Sequence, residues 1–153
     1  MSLGGGGGGQ QQLQELAQEL EAIEQQREAL EAEVQSLQAQ QREIDEAIEA
    51  LESLESGSTV QVPLGGDAYV RAEIADIDEV IVSLGGGYAA ERDQDGAADS
   101  LESKKETLDE RIEDIRSDIA ELEQESDELE ERAQQMQAQQ MQQLQQQQGQ
   151  PDE

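Results

Sequence analysis

Two long runs of the chain carry apolar residues in a heptad repeat, a pattern that strongly restricts the possible fold. In the first run, spacings of three and four residues alternate, and the a and d positions hold Leu13, Leu16, Leu20, Ile23, Leu30, Val34, Leu37, Ile44, Ile48 and Leu51. In the second run, the d position recurs every seven residues as Leu101, Leu108, Ile115, Leu122, Leu129 and Met136. Such a repeat keeps one stripe of a helix facing a partner helix, so each run is predicted to be a coiled-coil helix.

The composition supports burial along a seam and excludes several kinds of active site. The chain has no Trp, Phe, Cys or His and only two tyrosines, so it lacks the rings that a globular core of ordinary thickness uses. Without Cys and His it has no disulfide, no thiolate or imidazole zinc site and no Ser-His triad. The chain is therefore predicted not to be an enzyme, with no catalytic residue, cofactor or metal assigned.

The charge of the chain points to salt adaptation. The formal net charge is −29, from 38 acidic against 9 basic residues, which disfavours nucleic acid and anionic membrane as partners. An ordinary acidic solubility surface is one explanation. Adaptation to multimolar salt is favoured, because the bias runs through every segment and salt screens the repulsion. No apolar run reaches the length of a membrane span and no signal-peptide pattern opens the chain, so the expected location is the cytoplasm.

The predicted fold class is α+β: a long antiparallel coiled-coil helix hairpin with two β-hairpins inserted between the helices. The basic residues of the second helix lie on or beside its seam, and the first helix is rich in Glu and Gln. This charge pattern favours pairing of the two helices within one chain over separate parallel dimers of each helix. Gly57 is the expected stop of the first helix, and Asp99 with Glu102 the expected cap of the second. The predicted segments are a flexible Gly-rich leader, first helix, double hairpin, second helix and disordered tail, at 1–9, 10–56, 57–98, 99–144 and 145–153.

The insert alternates apolar and polar residues in the manner of strands. "TVQVPL" and "AYVRAEI" flank one turn, and "EVIVSL" and "YAAER" flank another. Because isolated hairpins are marginally stable and expose pairing edges, the insert implies a partner. The residues predicted to mediate assembly are Val60, Val62, Leu64, Tyr69, Val70, Ile74, Val80, Ile81, Val82, Leu84 and Tyr88.

Two patterns resemble ligand motifs but lack the required context. Gly85-x-Gly87-x-x-Ala90 follows a strand, as in dinucleotide sites, yet no helix is expected to open at the glycines, so a hairpin turn is favoured. Residues 91–102 place acidic side chains at spacings used by calcium loops, without a preceding helix. Whether this segment binds a cation stays open from the sequence.

Apolar residues are also expected at the free ends of the two helices. The residues predicted to contact apolar surfaces of other proteins are Leu13, Leu16, Met136, Met141 and Leu144, with Leu3 nearby. Ordinary seam packing also explains part of this set. Flexible thioethers among glutamines suit contacts with varied partners.

The order of elements, together with Val62-Pro63-Leu64-Gly65 and Leu84-Gly85-Gly86-Gly87-Tyr88 before Glu91, resembles the alpha-type subunits of the archaeal prefoldin family. The resemblance covers about residues 10 to 145, and the extreme acidity suggests a haloarchaeal source. It implies an ATP-independent chaperone in which two alpha and four beta subunits join through their hairpins. It further implies that coiled-coil tips hold unfolded proteins and pass them to a group II chaperonin. The competing hypotheses are a structural coiled-coil tether or scaffold, which would not prevent aggregation, and a nucleotide-binding enzyme.

Overall fold

A computed structural model describes the backbone of residues 3–148 and the side chains of residues 9–146. Two long helices flank two antiparallel β-hairpins, which confirms the predicted fold class. The elements in chain order are α1 (Leu3–Ser53), β1 (Thr59–Gly65), β2 (Ala68–Glu73), β3 (Val80–Gly85), β4 (Tyr88–Arg92) and α2 (Gln94–Gln148).

The chain divides into two compact units, each containing parts of both helices. The hairpin unit comprises Gln35–Ile112 and includes all four strands. The terminal unit comprises Met1–Val34 and Glu113–Glu153. Within each unit α1 and α2 run antiparallel. In the hairpin unit Asp45 meets Lys105 and the earlier Gln41 meets the later Asp109, and in the terminal unit Arg27 meets Glu123 and the earlier Gly9 meets the later Gln140.

Burial in the helices follows the predicted heptad frame. Every buried large apolar residue on the described helices occupies an a or d position, and these are Leu16, Ile23, Val34, Leu37, Ile48, Ile112, Ile115 and Leu129. In the terminal unit, Leu16, Ile23 and Leu129 form a cluster against which Leu20 and Leu122 pack. The seam therefore replaces a globular core, as expected for a chain with so few aromatic residues.

Helix α2 begins earlier than predicted, at Gln94 and not at residue 99. Asp93 is the residue that caps it, because its carboxylate accepts a hydrogen bond from the backbone amide of Gly96 at 2.7 Å. The first helical bond runs from the amide of Ala97 to the carbonyl of Asp93. The predicted cap at Asp99 and Glu102 is thus wrong, since both residues lie inside the helix, where backbone amides already have partners.

Gly57 does not end α1, which stops at Ser53. Its φ of 91° belongs instead to the turn that leads into the first hairpin. The amide of Gly57 donates to the carbonyl of Ile74, and the amide of Ile74 donates to the carbonyl of Ser58. Glycine is used here because an L side chain disfavours this backbone conformation, and the residue extends the β1–β2 pairing.

The ends of both helices reach further than the predicted segments. Helix α1 includes residues 3–9, which the sequence assigns to a flexible leader, and α2 continues past residue 144 to Gln148. Helix α1 therefore continues through glycines, which have a low helix propensity, and α2 continues through glutamines, which have a high one. Residues 1–2 of the predicted leader and 149–153 of the predicted tail lie outside the described residues.

The two hairpins form separate two-stranded sheets with tight turns. Strand β1 pairs with β2, with Val62 opposite Val70, and β3 pairs with β4, with Val82 opposite Ala90. The first turn places Gly66 and Asp67 at positive φ, and the second turn uses glycine at both of these positions. Two-residue loops with both φ values positive match the twist of paired strands, so the glycine motif serves a hairpin turn, as predicted.

Over the residues that the structure describes, no helix has a stretch long and apolar enough to cross a membrane.

Candidate interaction surfaces

The strands concentrate exposed apolar side chains on the hairpins. We define the hairpin surface as the large apolar residues exposed there, namely Val62, Leu64, Tyr69, Val70, Ile81, Leu84 and Tyr88. Ile81 and Tyr88 retain 75% and 76% of their accessible surface. Seven such residues on four short strands, with unpaired strand edges beside them, form a surface suited to burial against another chain.

The remaining predicted assembly residues face inward to different degrees. Val60, Ile74 and Val80 are half-buried, and Val82 is only 5% exposed. Strand β3 lies beside the helices, where Val82 and Leu51 border the same groove as Leu101. Val82 thus stabilises the subunit itself, because β3 alternates sides and places Val82 toward the helices while Ile81 is exposed.

The residues predicted at the free helix ends divide into two groups. Leu16 is buried, Leu13 is half-buried, and Met136 packs against the Leu16 cluster. Met141 and Leu144 are 67% and 58% exposed. These two residues border a shallow open groove, which we call the tip groove, lined by Gln134, Gln137, Ala138, Gln140, Met141 and Leu144. The side chain of Leu3 lies outside the described residues.

A glycine of α1 lies beside the tip groove. Gly9 lies against the side chain of Gln140, and a Cβ at Gly9 would clash with that amide. Residues 4–9 are all glycine, so this stretch of α1 has no side chain to offer a neighbouring helix. Contact with an apolar side chain requires facing atoms within about 4 Å, and a glycine helix supplies few of them. Gly9 therefore brings no side chain to the edge of the tip groove at Gln140.

Polar residues at a positions of the seam make specific contacts between the helices. The amide of Gln41 donates to the backbone carbonyl of Lys105 and to the carboxylate of Asp109. Lys105 Nζ lies 2.8 Å from an Asp45 carboxylate oxygen, and the hydrogen bond to Asp45 raises the pKa of Lys105. These contacts join α1 to α2 in one register, which is the role that polar a residues have in coiled coils.

Arg27 has a similar position in the terminal unit. Its guanidinium donates to Glu24 at 2.7 Å and lies 3.6 Å from Glu123 on α2. The hydrogen bond to Glu24 raises the pKa of Arg27, with the nearby carboxylates adding to the effect. Its Nε is buried and makes no hydrogen bond with any described residue, although a Glu31 oxygen lies 4.0 Å away. Arg27 therefore interrupts the apolar stripe while linking both helices through charge.

Two structural contacts could not be predicted from any sequence pattern. Gln94 Nε2 donates to the backbone carbonyls of Leu51 and Leu54, which satisfies acceptors at the end of α1 from the start of α2. Lys104 Nζ donates to the carbonyl of Ser83 at 2.9 Å and so attaches β3 to α2. A single glutamine after a strand is unremarkable in a glutamine-rich chain, and the lysine was expected beside the helical seam.

The calcium-like spacing does not produce a loop. Glu91 lies on β4, Asp93 caps α2, and the later acidic residues of 91–102 lie on the helix. Among side chains that the structure describes, no group of three or more acidic residues is arranged to hold a metal ion.

Comparison with known proteins assigns the family. The family model "Prefoldin subunit" matches residues 23–147. The chain is 69% identical over 114 residues to prefoldin subunit alpha of Haloarcula marismortui, covering 74% of each chain. It is 71% identical over 115 residues to prefoldin subunit alpha of Halobacterium salinarum, covering 75% of this chain and 73% of the other.

A solved structure supports the same family assignment. The chain is similar to a chain in the cryo-EM structure of filamentous PFD from Methanocaldococcus jannaschii, with a TM-score of 0.67 and 30% identity over 73% of this chain and 95% of that one. The similar alpha subunits at 69% and 71% identity come from haloarchaea, in agreement with the acidity of this sequence. The chain belongs to the prefoldin family, whose members are chaperone subunits and not enzymes.

Proposed function

We propose that the chain is the alpha subunit of a cytoplasmic, ATP-independent chaperone that assembles with beta subunits through its hairpins and captures unfolded proteins at its tip groove. The expected assembly contains two alpha and four beta subunits. Captured clients are passed to a group II chaperonin. No nucleic acid and no membrane are expected as partners.

The assembly role is supported by the hairpin surface. Two separate two-stranded sheets leave backbone donors and acceptors unpaired along their outer edges, and such edges accept strands from other chains. The exposed aromatic and β-branched side chains lie on the same strands. An interface that combines backbone pairing with apolar burial is suited to permanent assembly.

The capture role is supported by the exposure of Met141 and Leu144, and this observation carries the proposal. Methionine and leucine are unbranched at Cβ, and the methionine thioether adapts to surfaces of irregular shape. Each apolar side chain buried in a client contributes only about 1.5–3 kcal/mol, so one subunit binds weakly. Several subunits acting on one client would raise the effective affinity through multivalency.

The direct test replaces Met141 and Leu144 with serine in the full chain, assembled with beta subunits in molar salt. We expect suppression of aggregation of a denatured client to be lost, because the apolar contacts are removed while the seam is untouched. Light scattering of the client measures the effect. The matched control, Met141→Leu, keeps an apolar side chain and should retain the activity.

The test also separates this function from that of a tether. A coiled-coil scaffold would assemble through its hairpins but would leave client aggregation unchanged in the unmodified protein. Retained protection by the serine variant, with unchanged assembly mass, would place capture elsewhere on the complex and overturn the assignment of the tip groove.

A further inference from the structure

Charge is distributed unevenly along the helices of the terminal unit. Residues 1–14 and 133–151 contain no charged side chain, although the whole chain carries a formal net charge of −29. The tip groove, from Gln134 to Leu144, lies entirely within the second of these segments. A surface adapted only for solubility would continue its carboxylates to the ends of the helices.

Dense negative charge begins directly beside the uncharged segments. Residues 15–28 hold five acidic residues against one arginine, and residues 121–132 hold seven against one. We call these two segments the acidic collar. At a rise of about 1.5 Å per residue, Gln134 lies about 4.5 Å along the helix axis from Glu131, and Leu144 about 20 Å. A client chain that fills the tip groove therefore lies close to the collar at the Gln134 end of the groove.

The groove and the collar respond to salt in different ways. Contacts of methionine, leucine and amide groups are not screened by ions, and salts that are excluded from protein surfaces strengthen apolar burial. Repulsion between the collar and a negatively charged client reaches about 10 Å at 0.1 M salt and about 3 Å at 1 M. Salt thus removes the repulsion and leaves the attraction in place.

We propose that the tip groove and the acidic collar together select clients by charge. The groove accepts unfolded segments that are apolar or rich in amide side chains, and the collar rejects segments with strong negative charge to a degree set by ionic strength. This inference rests on the proposed capture role of the tip groove. It predicts a chaperone that discriminates between client segments in moderate salt and accepts all of them in molar salt.

The test uses the assembled complex and three unfolded peptides of equal length and apolar content, with net charges of about −6, 0 and +6. Fluorescence anisotropy gives their Kd values at 3 M KCl and at the lowest salt that keeps full helicity by circular dichroism. We expect similar Kd values at 3 M. At the lower salt, the acidic peptide should bind about three- to tenfold more weakly than the neutral one, because the collar is then less screened.

A charge-neutralised variant locates the effect. Asp127→Asn, Glu128→Gln and Glu131→Gln change three exposed collar residues. The matched control changes three exposed acidic residues of α1 in the hairpin unit, by Glu46→Gln, Glu49→Gln and Glu52→Gln. The collar variant should bring the Kd of the acidic peptide within about twofold of the neutral one at the lower salt, whereas the control, with the same net charge, should not.

The outcomes separate this inference from the proposed function. Equal binding of acidic and neutral peptides by the unmodified complex at the lower salt, or equal effects of the collar and control variants there, would overturn selection by charge. The serine substitutions of Met141 and Leu144 test the groove itself. If they remove binding of all three peptides while the collar variant changes nothing, only the charge inference fails; if they leave binding of all three unchanged, the capture role fails and this inference with it.

Discussion

The hairpin surface and the tip groove both expose apolar side chains, but they do so with different residues on different backbones. The hairpins present valine, isoleucine and tyrosine, with two leucines, on strands with unpaired edges. The tip groove presents methionine and leucine among glutamines on a helix. β-branched residues are stiff at χ1, and strands offer backbone partners, whereas a helix has already satisfied its own backbone groups.

This difference fits the two kinds of partner that we propose for the chain. A stiff surface with directional backbone groups fits one geometry, so it suits a constant neighbour. A flexible surface without backbone partners fits many geometries weakly, so it suits clients that vary. Under the proposed function, the two surfaces would therefore select different partners.

The largest expected effect comes from placing charge on the hairpin surface. Ile81→Asp with Tyr88→Asp should dissociate the assembly, since burying an unpaired carboxylate in an interface costs several kcal/mol. Helicity should be retained, because both side chains are exposed in the subunit. Light scattering measures the mass, with Ala120→Asp on the exposed face of α2 as the control. An unchanged mass would mean that the hairpin surface is not the constant interface.

Lowering the salt should have the next largest effect, and it should act on the helices through their charge. We expect the circular dichroism signal at 222 nm to fall on dialysis into dilute buffer and to recover in molar salt. The reason is that the Debye length grows to about 30 Å at 0.01 M, so the carboxylates along both helices repel one another. A constant signal across this range would contradict salt adaptation.

Stiffening the tip groove should have a moderate effect. Met141→Ile with Leu144→Val keeps apolar surface but introduces β-branched residues with restricted rotamers. Across a panel of unrelated denatured clients, we expect protection to weaken about threefold on average and to vary more between clients. Leu144→Met is the flexible control. If the stiff variant protects every client as well as the unmodified complex, adaptability is not what distinguishes the groove from the hairpins.

The smallest effect is expected at the seam, through Lys105. Its pKa is raised by the hydrogen bond to Asp45, so the stabilising contribution is present below the unfolded pKa of about 10.4 and is lost as pH rises through the folded pKa. Lys105→Gln should lower the Tm slightly at pH 7, and the difference should shrink above about pH 10. Thermal unfolding of Asp45→Asn should show a similar loss at pH 7. A difference that stays constant to pH 11 would contradict a role for the lysine charge.

Periodicity predicted the seam and the strands because both depend on short-range repeats. The heptad frame identified Leu16, Val34 and Ile112 as buried, and alternation located the hairpins. Other features depend on residues that are far apart in the sequence and adjacent in the fold, which short-range repeats do not reveal. Gln140, at the edge of the tip groove, meets Gly9 from more than 130 residues earlier in the chain, and Val82 is buried because β3 lies beside the helices. The cap at Asp93 was missed because a chain this acidic offers several plausible caps.

The contacts between the helices also imply an order of folding. Gln94 meets Leu51 across 43 residues, Gln41 meets Asp109 across 68, and Arg27 meets Glu123 over a still longer loop. Loop-closure entropy rises with loop length, and once the nearest pair has formed, each further pair closes only a short additional loop. The helices should therefore pair first at the residues nearest the hairpins and then progressively along the seam, with Gly9 and Gln140 the last to meet. The same order in reverse makes the end of the seam that carries the tip groove the first part to open, without disturbance to the strands of the hairpins.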